Sequence, residues 1–400
     1  MYYRADMRVD IVTKEYPPEI YGGAGVHVAE LVAALRTSID VQVRAFGADR
    51  DEVGAFAYRT PAELSGANPA IQTLGTDLTM VGDIAGADVV HSHTWYANFA
   101  GHLASQLHGI PHVLTAHSLE PLRPWKAEQL GGGYAVSSGI ERTAYENAAA
   151  IVAVSAGMRA DILRSYPQVD PARVRVIHNG IDVERWRPTE NPEFLATIGM
   201  DATRPSVVFV GRITRQKGLP YLLRAAQLLP PEVQLVLCAG APDTPEIMAE
   251  VQELVRLLQQ SRQGVIWIER MLPRDELAAI LTAATTFVCP SVYEPLGIVN
   301  LEAMACGAAV VGTRTGGIPE VVEDGVTGRI VPIDQLQDGT GTPVDPERFV
   351  ADLAAALTEV TGDPERAAQY GAAGRQRAKD EFSWGAIADT TRALYEELTA

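Results

Sequence analysis

Short apolar runs, many of them rich in β-branched residues, recur along the chain and end at glycine, proline or a polar residue. Between them lie longer stretches in which apolar residues recur at helical spacing, as Val28, Leu31 and Leu35 do. Near-continuous apolar runs are typical of strands buried on both faces of a parallel sheet, and their alternation with helices predicts βαβ units. The predicted strands are RVDIVT, VQVRAF, DVVHSH, HVLTAH, AIVAVS and RVIHNG in the first half of the chain, and SVVFVG, QLVLCAG, GVIWIE, TFVCPS, AAVVGT and GRIVP in the second.

A polar segment with two prolines interrupts this alternation near the middle of the chain. Residues 183–194, VERWRPTENPEF, are the best candidate for a linker. The chain has 400 residues, a length greater than one hydrophobic core usually organises. Its hydrophobic content of 47% is enough for two cores. We therefore predict an α/β protein with two doubly wound, Rossmann-like domains that face a central cleft. The predicted parts are a poorly structured leader (1–6), an N-terminal domain (7–186), a C-terminal domain (187–382) and a final helix that returns to the N-terminal domain (383–400).

The overall charge limits the partners. Asp and Glu number 50 against 33 for Lys and Arg, which gives a formal net charge of −17. This charge repels nucleic-acid backbones and anionic lipid surfaces, so we expect neither nucleic acid nor a membrane as partner. A phosphate-bearing small molecule must then be held by a local cluster of cations and backbone N–H groups.

The start of the chain lacks the pattern of a signal peptide, and no stretch approaches the ~20 apolar residues of a membrane span. The three cysteines are odd in number and lie in or beside apolar runs. We expect reduced thiols in a cytoplasmic protein, and a homodimer is an open possibility.

Two charge patterns in the second half predict a ligand site. Arg212 follows the strand SVVFVG and Lys217 follows five residues later, at the end of a parallel strand where ligands of such sheets bind. Two cations suit a diphosphate, although an exposed basic turn is the alternative. Glu294 and Glu302 suit sugar and ribose hydroxyls, and Glu302 is alternatively a surface residue of the helix predicted over 297–306. The free N–H groups of the first turn of this helix are aimed at a phosphate, and the donor-binding candidates here are Leu296, just before the helix, with Gly297 and Ile298.

The first half contributes a second set of candidates. Gly22 and Gly23 lie in the turn EYPPEIYGGAG, where glycine permits close backbone approach to a ligand or simply reverses the chain. His117 ends the strand HVLTAH and is expected either to hydrogen-bond a sugar or to be structural. Arg123 and Lys126, in the loop that follows, are candidates for an anionic acceptor or belong to a solvated turn.

No metal is expected. His91 and His93 share a strand face, but no third ligand appears at convincing spacing. Asp49 and Asp51 form the only D-x-D of the chain, in a polar loop that predicts a solvated turn. The chain lacks G-x-x-x-x-G-K-[ST], which argues against an ATPase or kinase.

Several motifs together resemble a known family. They are GR-x4-K, the two glutamates around PLGIVNL, GGIPEVV and NGID. They resemble the motifs of retaining nucleotide-sugar glycosyltransferases of the GT-B fold, over essentially the whole chain. Within that family, KEYPPEIYGGAGVHV, SHTWY, TAHSLEPLRPWK and VCPSVYEPLGIVNLEAMACG are similar to the actinobacterial glycogen-synthase-like enzymes, also described as α-maltose-1-phosphate synthases.

The resemblance implies an N-terminal acceptor domain and a C-terminal nucleotide-sugar domain. It further implies an ADP-glucose donor, no cofactor, and an α-1,4 bond to glucose 1-phosphate or to an α-glucan end in glycogen biosynthesis. Ordinary bacterial glycogen synthases carry Lys-Thr-Gly-Gly where this chain has Ile20, Tyr21, Gly22 and Gly23. The implied contacts are Arg212 and Lys217 with the diphosphate, Glu294 with the transferred glucose, Glu302 with the ribose, His117 with the sugar's primary hydroxyl and Gly23 with the phosphate region.

For the chemistry we expect front-face transfer, in which the donor's own phosphate oxygen accepts the acceptor's proton. Double displacement with Glu294 as nucleophile is the alternative. Two other classes share the architecture, a nucleotide-sugar epimerase and a noncatalytic glucan-binding protein.

Overall fold

The computed structural model describes residues 7–20, 22–123, 126–127, 131–336 and 338–400. The predicted leader, Tyr21 of the glycine-rich turn, and Pro124 and Trp125 of the loop after His117 lie outside the described residues. The chain folds into two compact units. The first unit runs to Gly180 and includes Trp384–Ala400, and the second is Ile181–Ser383.

The first unit is built on a parallel sheet. Its strands are β1 (Arg8–Thr13), β2 (Asp40–Phe46), β3 (Ala55–Tyr58), β4 (Val89–His93), β5 (His112–Ala116), β6 (Ala150–Ala153) and β7 (Val174–Val176). They lie in the order β3-β2-β1-β4-β5-β6-β7, and every position of β4 and β5 is buried. Its helices are α1 (Gly23–Leu35), α2 (Pro69–Val81), α3 (Trp95–His108), α4 (Gly133–Asn147) and α5 (Ala156–Ser165), with α14 (Trp384–Thr399) from the end of the chain.

The second unit repeats this architecture. Its strands are β8 (Ser206–Arg212), β9 (Gln234–Gly240), β10 (Val265–Ile268), β11 (Thr286–Cys289), β12 (Ala309–Thr313) and β13 (Gly328–Val331), in the order β10-β9-β8-β11-β12-β13. Its helices are α6 (Pro192–Thr197), α7 (Leu219–Ala226), α8 (Pro245–Ser261), α9 (Arg274–Ala283), α10 (Ile298–Ala305), α11 (Ile318–Val321), α12 (Pro346–Thr361) and α13 (Pro364–Glu381).

Each unit has its own core. In the first, residues of β1, β2 and α1 pack with the apolar face of α14, whose Tyr395 is fully buried. In the second, β8 and β9 pack against α7, α8 and α12, whose apolar residues recur at helical spacing. In both sheets the strand order reverses beside the first strand, at β1–β4 and at β8–β11, which is where ligands of doubly wound sheets bind.

The prediction of two doubly wound α/β units is confirmed. All six strands predicted in the second half are present. In the first half β7 begins earlier than the predicted run RVIHNG, and β3 was not predicted because AFAY is short and has no β-branched residue. The predicted linker, 183–194, lies inside the second unit, and α6 begins at Pro192. The assignment of an acceptor domain and a donor domain stays a prediction.

Among the helices of the described ranges, none combines the length and hydropathy that a membrane span needs.

Candidate functional site

The structure brings Lys217 and Glu294 together in the second unit. Lys217 ends a short 3-10 turn after β8, and the side chain of Thr214 caps that turn by accepting a hydrogen bond from Lys217 N. Nζ of Lys217 donates to Oε2 of Glu294 at 2.6 Å, and the Glu294 side chain is only 7% exposed. Burial lowers the pKa of Lys217, but the charge of Glu294 and this hydrogen bond outweigh it, so the pKa lies above its ordinary value. Lys217 is therefore a charged ammonium at neutral pH.

The backbones of two neighbouring loops pack closely against the loop that contains Glu294. Gly218 has φ 65°, and a Cβ there would lie 2.0 Å from the carbonyl oxygen of Pro290. Gly316 has φ 52°, and a Cβ there would lie 1.8 Å from the carbonyl oxygen of Glu294, which accepts a hydrogen bond from Gly317 N at 3.0 Å. Only glycine fits both positions. Further bonds to the same loop run from Val292 N to Gln216 O (2.9 Å), from Thr313 Oγ1 to Ser291 O (2.5 Å) and from Thr315 Oγ1 to Val292 O (3.3 Å).

Arg212, the last residue of β8, pairs with a different carboxylate. Its Nη1 lies 3.0 Å from Oδ1 of Asp243, whose side chain is 9% exposed. Asp243 N in turn donates to the carbonyl oxygen of Ile213 at 3.0 Å. Asp243 follows β9, so the two ends of adjacent parallel strands place this ion pair at the carboxyl edge of the sheet. The sequence prediction missed Asp243, although its position after QLVLCAG carries that signal.

The start of α10 lies beside the Glu294 loop. Gly297 is its N-cap, without a side-chain cap, Leu296 is buried, and Ile298 is the first helical residue. Glu302, in the second turn, is 8% exposed, so the alternative of a surface residue is wrong. Burial raises the pKa of Glu302 to about 7, against a smaller lowering by Lys217. Within the described residues, both amide atoms of the buried Asn300 side chain have no hydrogen-bond partner.

In the first unit His117 joins a cluster of imidazoles. Nδ1 of His93 and Nε2 of His117 lie 2.9 Å apart, and the His27 ring from α1 lies 4.7 Å from that of His117. Nδ1 of His27 lies 2.6 Å from Oδ1 of Asn179. The sequence missed His27 because it lies on a helix that shows only an apolar periodicity.

Burial keeps these imidazoles neutral. It lowers the pKa of His27 to about 4 and holds the pKa values of His93 and His117 well below 6.5. Among the described atoms, Nε2 of His27 and Nε2 of His93 are buried without a hydrogen-bond partner. The cluster therefore offers neutral donors and acceptors rather than an imidazolium acid.

The two histidines that the sequence paired for a metal, His91 and His93, stay close, with ring centres 4.4 Å apart, but both ring nitrogens of His91 have other partners. His91 is occupied by Tyr395 OH at 2.6 Å and Thr115 Oγ1 at 2.7 Å. His27, His93 and His117 have ring nitrogens within 4.8 Å of one another, an arrangement that could hold a transition metal. The third imidazole that the sequence did not supply thus comes from α1, and the absence of a metal stays a prediction.

The D-x-D motif is exposed to solvent. The side chain of Asp49 is 89% exposed and pairs with Arg59 at 3.3 Å. It forms a solvated surface turn.

In the glycine-rich turn, a side chain of the same segment binds a backbone N–H group. Gly22 is the N-cap of α1 and Gly23 is its first residue. Gly22 N donates to Oε2 of the buried Glu15 at 2.8 Å. A carboxylate of the chain itself thus accepts the Gly22 N–H, and the predicted approach of a donor ligand to Gly22 and Gly23 stays a prediction.

The loop after His117 contains the two acceptor candidates. Nη1 of Arg123 donates to Ser118 Oγ at 2.9 Å, which keeps it within its own loop. Lys126 is 7% exposed, and its Nζ lies 5.9 Å from the centre of the Tyr96 ring. Lys126 thus lies near Tyr96 of α3, whereas the described contact of Arg123 is with Ser118.

Comparison with known proteins agrees with this architecture. Residues 21–185 match the family described as Glycosyltransferase Family 4, and residues 204–359 match Glycosyl transferases group 1. The chain is 58% identical over 397 residues to the alpha-maltose-1-phosphate synthase of Mycolicibacterium smegmatis, with 98% of this chain and 100% of the relative covered. It is 56% identical, with the same coverage, to the alpha-maltose-1-phosphate synthase of Mycobacterium tuberculosis.

Among solved structures, the sucrose-phosphate synthase of Thermosynechococcus elongatus matches with a TM-score of 0.79 at 23% identity, over 98% of this chain and 99% of that one. This likeness shows the GT-B fold. Identity of this extent over the whole length shows more than a shared fold, and the chain therefore belongs to the family of nucleotide-sugar glycosyltransferases that contains the alpha-maltose-1-phosphate synthases.

Proposed function

We propose that this enzyme transfers glucose from ADP-glucose to glucose 1-phosphate with retained α configuration, forming α-maltose 1-phosphate for glycogen biosynthesis. Two relatives at 58% and 56% identity carry the name of that product. The structural observation that carries the proposal is the contact of Lys217 with Glu294 at 2.6 Å. This contact places the Lys217 ammonium group, which suits a phosphate, next to the Glu294 carboxylate, which suits sugar hydroxyls.

The cations have a direct task in the chemistry. Breaking the bond between glucose and ADP leaves negative charge on the diphosphate, and fixed donors lower the barrier by meeting that charge as it forms. Lys217 stays protonated because its pKa is raised, and the guanidinium group of Arg212 is the second cation. Asp243 fixes one guanidinium nitrogen of Arg212. The proposal needs no metal, because these two side chains supply the positive charge.

Glu294 is better suited to binding than to attack. Its Oε2 accepts hydrogen bonds from Lys217 Nζ at 2.6 Å and from Ser291 Oγ at 3.0 Å. Two donors on one oxygen stabilise the carboxylate and reduce its nucleophilicity. This favours front-face transfer, with Glu294 accepting from hydroxyls of the transferred glucose, over double displacement.

His117 acts in this proposal as a neutral hydrogen-bonding group. With its pKa well below 6.5 it does not protonate a leaving group at neutral pH. The unpaired, buried Nε2 atoms of His27 and His93 leave hydrogen-bonding capacity in the same cluster, within the described residues. We assign the primary hydroxyl of the transferred glucose to His117 as its hydrogen-bonding partner.

The acceptor and the donor base are tested together. The purified enzyme is given ADP-glucose or UDP-glucose with glucose 1-phosphate, with glycogen or with no acceptor, and the products are identified by mass spectrometry. We expect a disaccharide phosphate from ADP-glucose and glucose 1-phosphate. Elongated glycogen as the main product identifies a glucan-end transferase instead, and an altered nucleotide sugar without acceptor identifies an epimerase.

Two variants test the site in the same assay. Removing the cation in Lys217→Met or Arg212→Ala is expected to lower turnover by ~10² to 10³, as loss of an oxyanion donor does. Near-normal turnover in either variant contradicts the role assigned to that side chain. Arg59→Ala, which removes only an exposed partner of Asp49, is the matched control and should leave turnover unchanged.

A further inference from the structure

Two lysines of the first unit lie on one aromatic ring. Nζ of Lys14 is 3.8 Å from the centre of the Tyr96 ring, and Nζ of Lys126 is 5.9 Å from it. The two ammonium groups are thus no farther apart than the sum of these distances. Lys14 follows β1 and Lys126 follows β5, so two separate loops at the carboxyl edge of the sheet supply them.

Lysine is rare in this chain, which makes its placement informative. Only four of the 33 basic residues are lysines: Lys14, Lys126, Lys217 and Lys379. Lys217 already has the phosphate role proposed above, and Lys379 is exposed on α13. A lysine ammonium is a compact point charge that suits a phosphate oxygen, whereas arginine suits planar, bidentate contacts.

The backbone just before Tyr96 has an unusual conformation. Tyr96 lies in the first turn of α3, and Thr94, the N-cap, has φ 65° and ψ 162° without a side-chain cap. This region is costly for a residue other than glycine, and such strain is concentrated at binding and catalytic sites. The Trp95 ring packs on Tyr96 at 4.2 Å, and within the described chain its buried Nε1 has no hydrogen-bond partner.

Two ammonium groups near one ring concentrate positive charge in a partly buried place, which suits an anion. Lys126 is buried and Lys14 half-buried, and burial lowers the pKa of Lys14 despite the opposing charge of Glu15. The open first turn of α3 adds the positive end of a helix dipole. A dianionic phosphate monoester matches this arrangement in charge and in the number of acceptor oxygens.

We propose that Lys14, Lys126 and the Tyr96 ring form the site for the phosphate of the acceptor, so that they select a sugar phosphate over an uncharged glucan end. The inference rests on the proposed function, since it assigns the phosphate of glucose 1-phosphate to these residues. The donor diphosphate is the other source of the same chemistry. The acceptor is favoured because Arg212 and Lys217 already serve the diphosphate in the proposal, whereas this pair lies in the first unit with the other acceptor candidate, Arg123.

The test compares Lys14→Met and Lys126→Met with Lys379→Met as the matched control. We expect each of the first two to raise KM for glucose 1-phosphate by about 10- to 100-fold, the size of a lost charge-assisted hydrogen bond. KM for the donor and turnover with maltotriose, an uncharged acceptor, should stay within about twofold of the unsubstituted protein. Lys14→Arg should recover part of the affinity, since it restores the charge without the compact geometry. Lys379→Met should change none of these values.

Three results would overturn the inference. The first is an unchanged KM for glucose 1-phosphate. The second is an equal loss of turnover with maltotriose, which would show that the lysines act by packing on Tyr96. The third is a raised KM for the donor, which would assign the lysines to the donor diphosphate. Thermal unfolding of each variant separates misfolding from lost binding, and Lys14→Gln replaces Lys14→Met if the latter unfolds early.

Direct binding separates this inference from the proposed function. Calorimetric titration of glucose 1-phosphate into the full chain without donor should give a lysine-dependent signal, with inorganic phosphate as a weaker competitor. A protein that binds glucose 1-phosphate in this way but forms no disaccharide phosphate refutes the proposed function and supports the phosphate site. Normal formation of the disaccharide phosphate, with glucose 1-phosphate binding unchanged in both lysine variants, supports the proposed function and refutes the phosphate site.

Discussion

At the scale of single residues, burial decides which candidate side chains are charged at neutral pH. Lys217 keeps its proton because Glu294 compensates for the burial of the ammonium group, whereas desolvation makes the half-buried His117 lose its proton. Glu302 lies between these cases, because burial raises its pKa to about 7. Its charge therefore changes within the physiological range, and the ribose contact predicted for Glu302 uses the ionised carboxylate, which accepts two hydrogen bonds from a diol.

The first prediction concerns this titration. Since Glu302 is ionised above about pH 7 and protonated below, kcat/KM for the donor should fall about tenfold per pH unit on the acid side. Glu302→Gln should remove this limb and raise donor KM by about 10- to 100-fold at pH 8. Steady-state kinetics from pH 5.5 to 8.5 at saturating acceptor measure both effects. An acid limb that survives in Glu302→Gln assigns the titration to another group.

The same substitution has a stability readout with a defined sign. The pKa of Glu302 is higher in the folded state than the ordinary 4.5, so its contribution to the free energy of unfolding is lost as pH rises from 4.5 through 7. Glu302→Gln should therefore be more stable than the unsubstituted protein at pH 8, by about 3 kcal/mol from a shift of this size. Chemical denaturation at pH 8 and at pH 5 tests the difference, which should shrink to about 1 kcal/mol at the lower pH.

Sequence reasoning identified the charged residues of the second unit better than their partners. Arg212, Lys217 and Glu294 were predicted because each follows a strand, and the carboxyl ends of parallel strands meet at one edge. Asp243 was missed although it also follows a strand, and His27 was missed because a histidine within an apolar helix has no distinguishing spacing of its own. Their importance appears only when distant segments come together.

At the scale of elements, the loops of the second unit depend on glycines that tolerate no side chain. The carbonyl oxygen of Glu294 is approached by Gly316 so closely that a Cβ would lie 1.8 Å from it. The position of the Glu294 carboxylate is thus set by the backbone of the following β12–α11 loop as well as by Lys217. The strand runs were predictable from apolar composition, whereas this loop contact was not, because it depends on packing between loops.

The prediction at this scale compares two glycines of the second unit with positive φ. Gly316→Ala adds a clash with Glu294 to the cost of a left-handed backbone, whereas Gly325→Ala adds only that cost, because nothing lies within 4 Å of its Cβ position. We expect Gly325→Ala to lose about 1 kcal/mol of unfolding free energy with normal turnover. Gly316→Ala should lose more than about 2 kcal/mol, and turnover should fall at least tenfold since Glu294 moves. Equal effects in denaturation and in the transferase assay would remove the clash as the cause.

At the scale of the whole molecule, the chain completes the first unit last. It leaves that unit after Gly180, forms the second unit, and returns with α14 to the core of the first. The apolar periodicity of FSWGAIADTTRALYEEL predicted an amphipathic helix, and the structure places its buried face in a core with residues of β1 and α1. The return of this helix to the first domain was also predicted, although hydrophobic spacing alone does not say which core a helix joins.

The last prediction follows from the area that α14 buries. Its large buried side chains are Trp384, Ile387, Leu394 and Tyr395, each worth about 1.5–3 kcal/mol, which together rival the ~5–15 kcal/mol that stabilises a whole domain. A protein that ends at Ser383 should therefore lose the folded first unit while the second persists, since the core of the second contains no residue of α14. Limited proteolysis should then leave a resistant fragment close to 181–383, and transferase activity should disappear. Tyr395→Phe is the matched control: it removes only the bond to His91, costs about 1 kcal/mol, and should keep the whole chain folded. If the truncated protein unfolds with the midpoint and amplitude of the intact one, α14 is an appendage and the first unit is complete without it.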